Sequence, residues 1–240
     1  MRKLNYLIEM NSNAYLLKSY LIHSFILKIK KKKRKEFIKN YKTFLKEKKI
    51  TYDFFSRNIF DWYNVLDDFK NEKFKYLEIG SFEGNSALFM IKYFKNSSLV
   101  CVDQWRQLYE TDGKREGYEH LPIASVEKNF DDNLKNYTNR FVKKKTSADL
   151  FFAKNNELFD IIFVDGSHYA KDVWNDCLNS WSILRKYGIL ILDDYFWRGY
   201  EDLQDNPAFA INKFLKKIKN EYEVIKLTKF QLFLRKLSNN

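Results

Sequence analysis

Short apolar runs alternate with helical sequence through most of this chain, and that alternation restricts its fold more than any other feature. Tyr76–Ile79 reads as a strand, about Ser86 to Phe94 as a helix, and Leu99–Asp103 as a second strand. Val126–Asn136 reads as a helix and Phe141–Lys145 as a weaker strand. Asp160–Asp165 and Gly188–Asp193 are apolar enough to be buried strands, each followed by a helix, near Ala170–Leu184 and Ala208–Ile218. Upstream, Phe55, Ile59, Trp62, Val65, Leu66 and Phe69 recur at three- and four-residue spacing, which predicts a helix over 54–70. Strands separated by helices imply parallel βαβ units with helices on both sheet faces. The end differs, because Tyr222–Thr228 and Phe230–Lys236 are strand-like runs with almost nothing between them. Only an antiparallel hairpin can be joined so tightly. The expected fold is α/β and Rossmann-like, a mostly parallel sheet with a C-terminal antiparallel hairpin.

The 240 residues suit one sizeable domain with an appendage. Cys101 and Cys177 lie in or beside apolar stretches without a C-x-x-C partner, which argues for a reducing compartment and against a zinc-finger site. The net charge of +12 resides entirely in residues 1–50, which hold 15 Lys and Arg against three acids. Residues 51–240 are neutral, so the basic character belongs to an N-terminal appendage (1–50) and not to the expected catalytic body (51–240). Nucleic acid is therefore a disfavoured partner.

Within the appendage, residues 14–29 are apolar but interrupted by Lys18, Ser19, His23, Ser24 and Lys28, short of a membrane span. Lys30 to Lys35 follow as six consecutive basic residues. Two readings remain open. One is a helix packed on the body or a partner, followed by a solvated charge run. The other is peripheral contact of residues 14–35 with an anionic membrane. The expected location is the cytoplasm or the membrane's periphery, and self-association is left open.

Lys75–Phe89 runs strand, glycine turn, helix. Gly80 would let the chain turn off the strand and Gly84 would let the backbone approach a ligand. Glu78 sits near the carboxyl end of the strand, where it can order the turn or, through water, meet a ligand's amino group. The spacing is Gly-x-x-x-Gly, not the dinucleotide fingerprint, which disfavours a nicotinamide enzyme. Asp103 ends the next strand about 20 residues on, where a carboxylate can accept both ribose hydroxyls of a nucleoside or simply cap the strand. Thr146-Ser-Ala-Asp149 is expected as a loop that meets an adenine edge.

Together, YLEIGSFEGNSAL (76–88), VCVDQW (100–105), FDIIFVDGSHYAKDVWNDC (159–177) and YGILILDDYFW (187–197) resemble the class I S-adenosylmethionine-dependent methyltransferases. The closer resemblance is to the small-molecule O-methyltransferases of the methyltransferase-domain family and the catechol-type branch. It covers roughly residues 52–236. The resemblance implies S-adenosylmethionine as cofactor. Glu78, Gly80 and Ser81 would line the methionine moiety, Asp103 the ribose, and Ala148 with its neighbours the adenine, with Gly84, Ser86, Gln104 and Asp165 also binding the cofactor. Phe82 stands where many methyltransferases carry a middle glycine, a departure shared with the catechol-type enzymes.

Asp165, Asp193 and Asp194 close two adjacent expected strands, and three oxygen donors on one rim suit Mg²⁺ or another hard divalent cation. Their alternative role is to cap strands and helix N-termini. In catechol-type enzymes acids at matching positions hold Mg²⁺, which binds the substrate oxygens. His168, three residues after Asp165, falls where those enzymes place a lysine base. It is expected as a general base beside Asp165, as a metal ligand, or as a helix N-terminal residue without chemistry. The long insertion 104–125 offers Trp105, Arg106, Tyr109 and His120 as acceptor contacts, and Trp197 and Arg198 are similar candidates. The leading expectation is metal-assisted O-methylation of a small-molecule or glycan hydroxyl. A metal-dependent hydroxylase-like protein on the same fold and a non-catalytic nucleoside-binding module are the alternatives.

Overall fold

The computed structural model describes residues 2–10, 12–106 and 123–239. The chain divides into two compact units, Lys32–Phe151 and the combination of Met1–Lys31 with Phe152–Asn240. The first 50 residues contribute to both units.

In the Lys32–Phe151 unit, β1 (Phe74–Ile79), β2 (Ser97–Asp103) and β3 (Phe141–Lys145) run parallel. The register sets Glu78 opposite Cys101 and Asp103 opposite Lys145. Helices α3 (Lys31–Leu45), α4 (Ile59–Val65), α5 (Asn85–Tyr93), α6 (Ile123–Leu134) and α7 (Ala148–Lys154) accompany them. α5 is buried along most of its length, with Phe89 meeting Tyr41, Phe55 and Trp62 edge-on at 5.7–6.0 Å. Such pairings add to the burial of large rings. Arg140 donates to the carbonyls of Phe94, just after α5, and of Ser97, the first residue of β2, at 2.7 and 3.1 Å, tying the start of β3 to the α5–β2 turn. On β3, Lys143 is paired with Glu127 and Asp131 of α6, a charged strand suited to a sheet edge.

Residues 31–35 of the basic run form the start of α3, in the appendage expected as basic and helical, and α3 is anchored by a buried phenol. Tyr41 is fully buried, and its hydroxyl meets the carbonyl and the side-chain Oδ1 of Asn85 at 2.8 and 2.9 Å. The helix expected over 54–70 is shorter. Asp53 Oδ1 accepts the Ser56 N–H at 2.8 Å in a local turn, and regular helix begins only at Ile59.

In the other unit, β4 (Phe159–Val164) and β5 (Leu184–Leu192) are parallel, while β7 (Leu232–Lys236) runs antiparallel to β5 and to β6 (Tyr222–Leu227). The helices are α1 (Arg2–Glu9), α2 (Ala14–Ile29), α8 (Ala170–Ile183) and α9 (Pro207–Lys217). Within their units the strands are ordered β3-β2-β1 and β4-β5-β7-β6, mostly parallel with the expected antiparallel hairpin. Lys236 is a buried lysine on β7 whose ammonium donates to the carbonyls of Trp181 and Leu184 at 2.7 and 2.9 Å. It thereby caps the carboxyl end of α8.

The junction of α8 and β5 is tight. Tyr187 takes a left-handed φ of 64°, and a Cβ at Gly188 would lie 2.7 Å from the Asp160 carbonyl oxygen and 2.8 Å from that of Arg185. Main-chain oxygens cannot yield as a side-chain tip can. Gly188→Ala is therefore expected to destabilise the protein by at least about 2 kcal/mol through overpacking, measured as a lowered urea midpoint at unchanged m-value.

Candidate active site

β1 leads into a loop whose backbone is left-handed at three positions, Gly80 (φ 88°), Phe82 (φ 48°) and Gly84 (φ 78°). The loop is closed by Asp103 at the end of β2. Asp103 Oδ2 accepts the Phe82 N–H at 2.9 Å and Oδ1 accepts the Trp105 N–H at 2.7 Å. Burial pushes the Asp103 carboxyl above its ordinary range, against the N–H groups of Trp105 and Phe82 that favour its anion. A carboxylate with two oxygens retains acceptor capacity for a diol beyond these two bonds.

Gly84 is needed for a reason other than ligand approach. It is the N-cap of α5 in left-handed conformation, and a Cβ there would lie 3.0 Å from the Phe130 ring. Glu78 is fully buried at the carboxyl end of β1, hydrogen-bonded to the Ser86 hydroxyl, and its Oε2 has no hydrogen-bond partner. Burial raises its pKa to about 8, opposed by the hydroxyls of Ser86 and Ser81. Ser81 is also buried, and an unmatched buried carboxylate oxygen at a strand end fits the ammonium of a methionine moiety. The residues present thus have the chemistry to hold S-adenosylmethionine. Gln104 is half-buried beside Asp103, and Ala148 opens α7 instead of lying in a loop.

Glu83 is a residue the sequence reading missed. Its buried carboxylate accepts the N–H groups of Thr51 and Tyr52 and the amide of Asn129. Asn133 meanwhile donates to the Glu83 carbonyl at 2.9 Å and pairs with the main chain of Lys49. The residues before α4 are thus tied to the loop by one carboxylate. A lone Glu between two glycines carries no signal of this.

Trp105 was expected to touch the acceptor, but the structure buries it. Its ring packs 4.8 Å from Phe130 and its Nε1 donates to the Phe82 carbonyl at 2.9 Å. Its aromatic area is spent in holding the loop. Arg106 is exposed, and Tyr109 and His120 lie outside the described residues.

The other unit contributes a second cluster. Asp165, Ser167, His168, Asp193 and Asp194 line one hollow with Ile211 at the ends of β4 and β5. His168 is buried, and its Nε2 lies 2.8 Å from Asp194 Oδ2. Its ring stacks on Trp197 at 4.6 Å and 18°. Asp194 has a left-handed φ of 54°, and its N–H donates to Asp193 Oδ1 at 2.7 Å. Asp193 Oδ2 accepts from the Gln231 amide at 3.0 Å, and Gln231 comes from the β6–β7 turn. Among the described residues no group of three or more His, Cys, Asp or Glu is arranged to hold a metal ion. Asp165, Asp193 and Asp194, expected as a ligand set, all line this hollow, with Asp194 directed to His168 and Asp193 engaged by Gln231 and by the Asp194 N–H.

Trp197 therefore supports the imidazole. Arg198 turns away, pairing with Glu9 at 3.5 Å and lying 4.9 Å over the Tyr6 ring. Tyr195, the tail of the Asp-Asp-Tyr motif, is a buried anchor hydrogen-bonded to Ser12 and Asn212 at 2.8 Å each.

A strand, a glycine turn closed by the next strand's acid, and mixed strands in these orders define a class I methyltransferase fold. Residues 77–195 match the family described as "Methyltransferase domain", so this segment is a methyltransferase domain. An uncharacterized protein of Acanthamoeba polyphaga mimivirus is 27% identical over 164 residues, 62% of this chain and 63% of that protein. The match thus spans less than two thirds of that relative's length. Among solved structures, the O-methyltransferase TomG from Streptomyces achromogenes, in complex with S-adenosylmethionine, aligns at a TM-score of 0.56 and 12% identity. That alignment covers 95% of this chain and 100% of TomG. The MycE methyltransferase of the mycinamycin biosynthetic pathway, in complex with Mg, S-adenosylhomocysteine and mycinamycin VI, aligns at 0.57 and 14% identity. It covers 86% of this chain and 55% of MycE. These likenesses establish the fold.

Because Glu78 in the folded protein holds its proton up to about pH 8, against an ordinary value of 4.5, the folded state binds the extra proton between those values. The stability this proton uptake contributes is complete below the lower value and is lost as pH rises through about 8. Glu78→Gln removes the titration. The melting temperature of the variant relative to wild type is expected to rise progressively from about pH 5 to about pH 9. A pH-independent difference would contradict the assignment.

Proposed function

We propose that the chain is an O-methyltransferase that moves the methyl group of S-adenosylmethionine to a hydroxyl of a small molecule or glycan. The observation that carries this reading is the pairing of the buried His168 with the half-buried Asp194 in a carboxylate-lined hollow at the ends of β4 and β5. A sulfonium already holds a good leaving group, so the protein's tasks are in-line positioning and removal of the acceptor's proton. The cofactor supplies the electrophilic methyl group.

Asp103 would accept the ribose hydroxyls, and Glu78, with Ser81 and Ser86 beside it, would meet the methionine ammonium. An Nε2–H donated to Asp194 leaves the imidazole lone pair on Nδ1, and stacking on Trp197 holds the ring plane. His168 Nδ1 would take the hydroxyl proton as the acceptor oxygen forms its bond to the methyl carbon. The methyl–sulfur bond breaks, and its electron pair stays on sulfur as a neutral thioether. Asp194 would fix the tautomer and stabilise the imidazolium. Metal assistance, implied by the resemblance, is not needed for this mechanism, in which the imidazole is the base.

The test joins cofactor binding to turnover. Asp103→Ala is expected to weaken S-adenosylmethionine and S-adenosylhomocysteine at least about tenfold by calorimetry, through loss of a charged hydrogen-bond acceptor. With labelled cofactor and a panel of hydroxyl acceptors, His168→Gln is expected to lower kcat about 10²-fold or more with cofactor affinity unchanged. Asp194→Asn should lower kcat less and shift the pH–rate profile. A well-folded chain that binds neither nucleoside would overturn the reading. Binding without turnover on any acceptor would favour the non-catalytic module.

A further inference from the structure

α2 is apolar on the wrong side for a helix that only packs inward. Its inner face is occupied: it lies against β6, Ser19 Oγ accepts the Leu227 N–H at 2.8 Å, and Leu16 and His23 are buried. Asn13 at its N-cap reaches the Tyr222 hydroxyl at 3.1 Å. This fixes which residues look outward. Tyr15, Leu21, Ile22, Phe25 and Ile29 are exposed by 75%, 51%, 49%, 64% and 69%. They recur at three-, four- and seven-residue spacing, which lines them up as one stripe along a 16-residue helix. A helix apolar on every face is ordinarily buried on every face, and a contiguous exposed stripe marks a surface that meets something.

The charges identify the occupant. Lys18 and Lys28 are exposed on the same helix, and Lys30 to Lys35 follow without interruption. Between Glu9 and Glu36 the chain contains no acidic residue. A second copy would bring these lysines against their equivalents, which is repulsive. An anionic lipid surface accepts both features at once, with apolar side chains entering the acyl boundary and ammonium groups at the headgroups. No helix among the described residues is long and apolar enough to cross a membrane, so the contact would lie in the interface plane. We propose that the outward stripe Tyr15–Leu21–Ile22–Phe25–Ile29 docks the protein onto anionic membrane, held by the lysines that flank it.

The experiment is co-sedimentation of the full chain with vesicles of phosphatidylcholine alone or containing about 30% phosphatidylserine. Binding to the anionic vesicles is expected, weakening as salt rises, with little binding to the neutral ones. Ile22→Glu/Phe25→Glu should reduce partition at least tenfold while melting temperature stays unchanged. If that pair disturbs folding, Phe25→Ser/Ile29→Ser makes the same comparison with smaller polar groups. Absence of binding to anionic vesicles overturns the proposal. So does undiminished binding by the substituted chain, which would leave charge alone as the cause. Self-association through this face, seen by sedimentation velocity and abolished by the same variants, would identify a second copy as occupant and equally overturn it.

Discussion

Three left-handed residues within five make the loop after β1 unable to hold its own shape, and the Asp103 carboxylate supplies what it lacks. A non-glycine residue in that conformation costs roughly 1–2 kcal/mol, and Phe82 persists there because both of its main-chain polar groups are engaged. Its N–H goes to Asp103 and its carbonyl receives the indole N–H of Trp105. Trp105, itself at a φ of 43°, is held by the other oxygen of the same carboxylate. Around this knot the remaining polar groups find their places. Glu83 gathers the main chain of Thr51 and Tyr52, Asn133 fastens Lys49, and Tyr41 closes over Asn85. The loop expected to embrace the cofactor is therefore prearranged by buried hydrogen bonds from its own unit.

The second cluster follows similar physics with a different outcome. Its imidazole is oriented by Asp194, flanked by Trp197, and seated above a hollow whose carboxylates are already committed to neighbours. Gln231 reaches Asp193 from the turn of the hairpin, where Thr228 Oγ1 also accepts the Gln231 N–H at 2.8 Å. The antiparallel hairpin thus does more than complete the sheet, because its turn decides which way one of the site carboxylates is engaged. Tyr195, bonded to Ser12 and Asn212, fastens the segment after Asp194 to α9 and to the residues following α1.

Much of the fold was legible because it depends on periodicity. Consecutive apolar residues at 161–164 and 189–192 have no face to spare for water, so they read as buried strands and occupy the sheet as such. The acids that close them, and Glu78 and Asp103, were legible because strand ends are where open α/β sheets meet ligands. Trp105 and Arg198 were misread, since a large or charged side chain after a strand looks the same whether it faces a ligand, a ring or a distant Glu9. Glu83, Gln231 and Tyr41 were missed for a related reason. Each is one polar residue with partners 31 to 46 positions away, and no local spacing records such a meeting.

The sequence by itself determined the order and kind of the elements, the hairpin at the end, and the places where chemistry could occur. Those follow from interactions between residues a few positions apart. Only the tertiary structure decided that Asp194 belongs to His168, that Gln231 engages Asp193, and that α2 turns an apolar face outward. Each of these depends on side-chain direction after packing. A carboxylate at a strand end can cap, coordinate or orient, and its choice is made by neighbours that arrive from elsewhere in the chain.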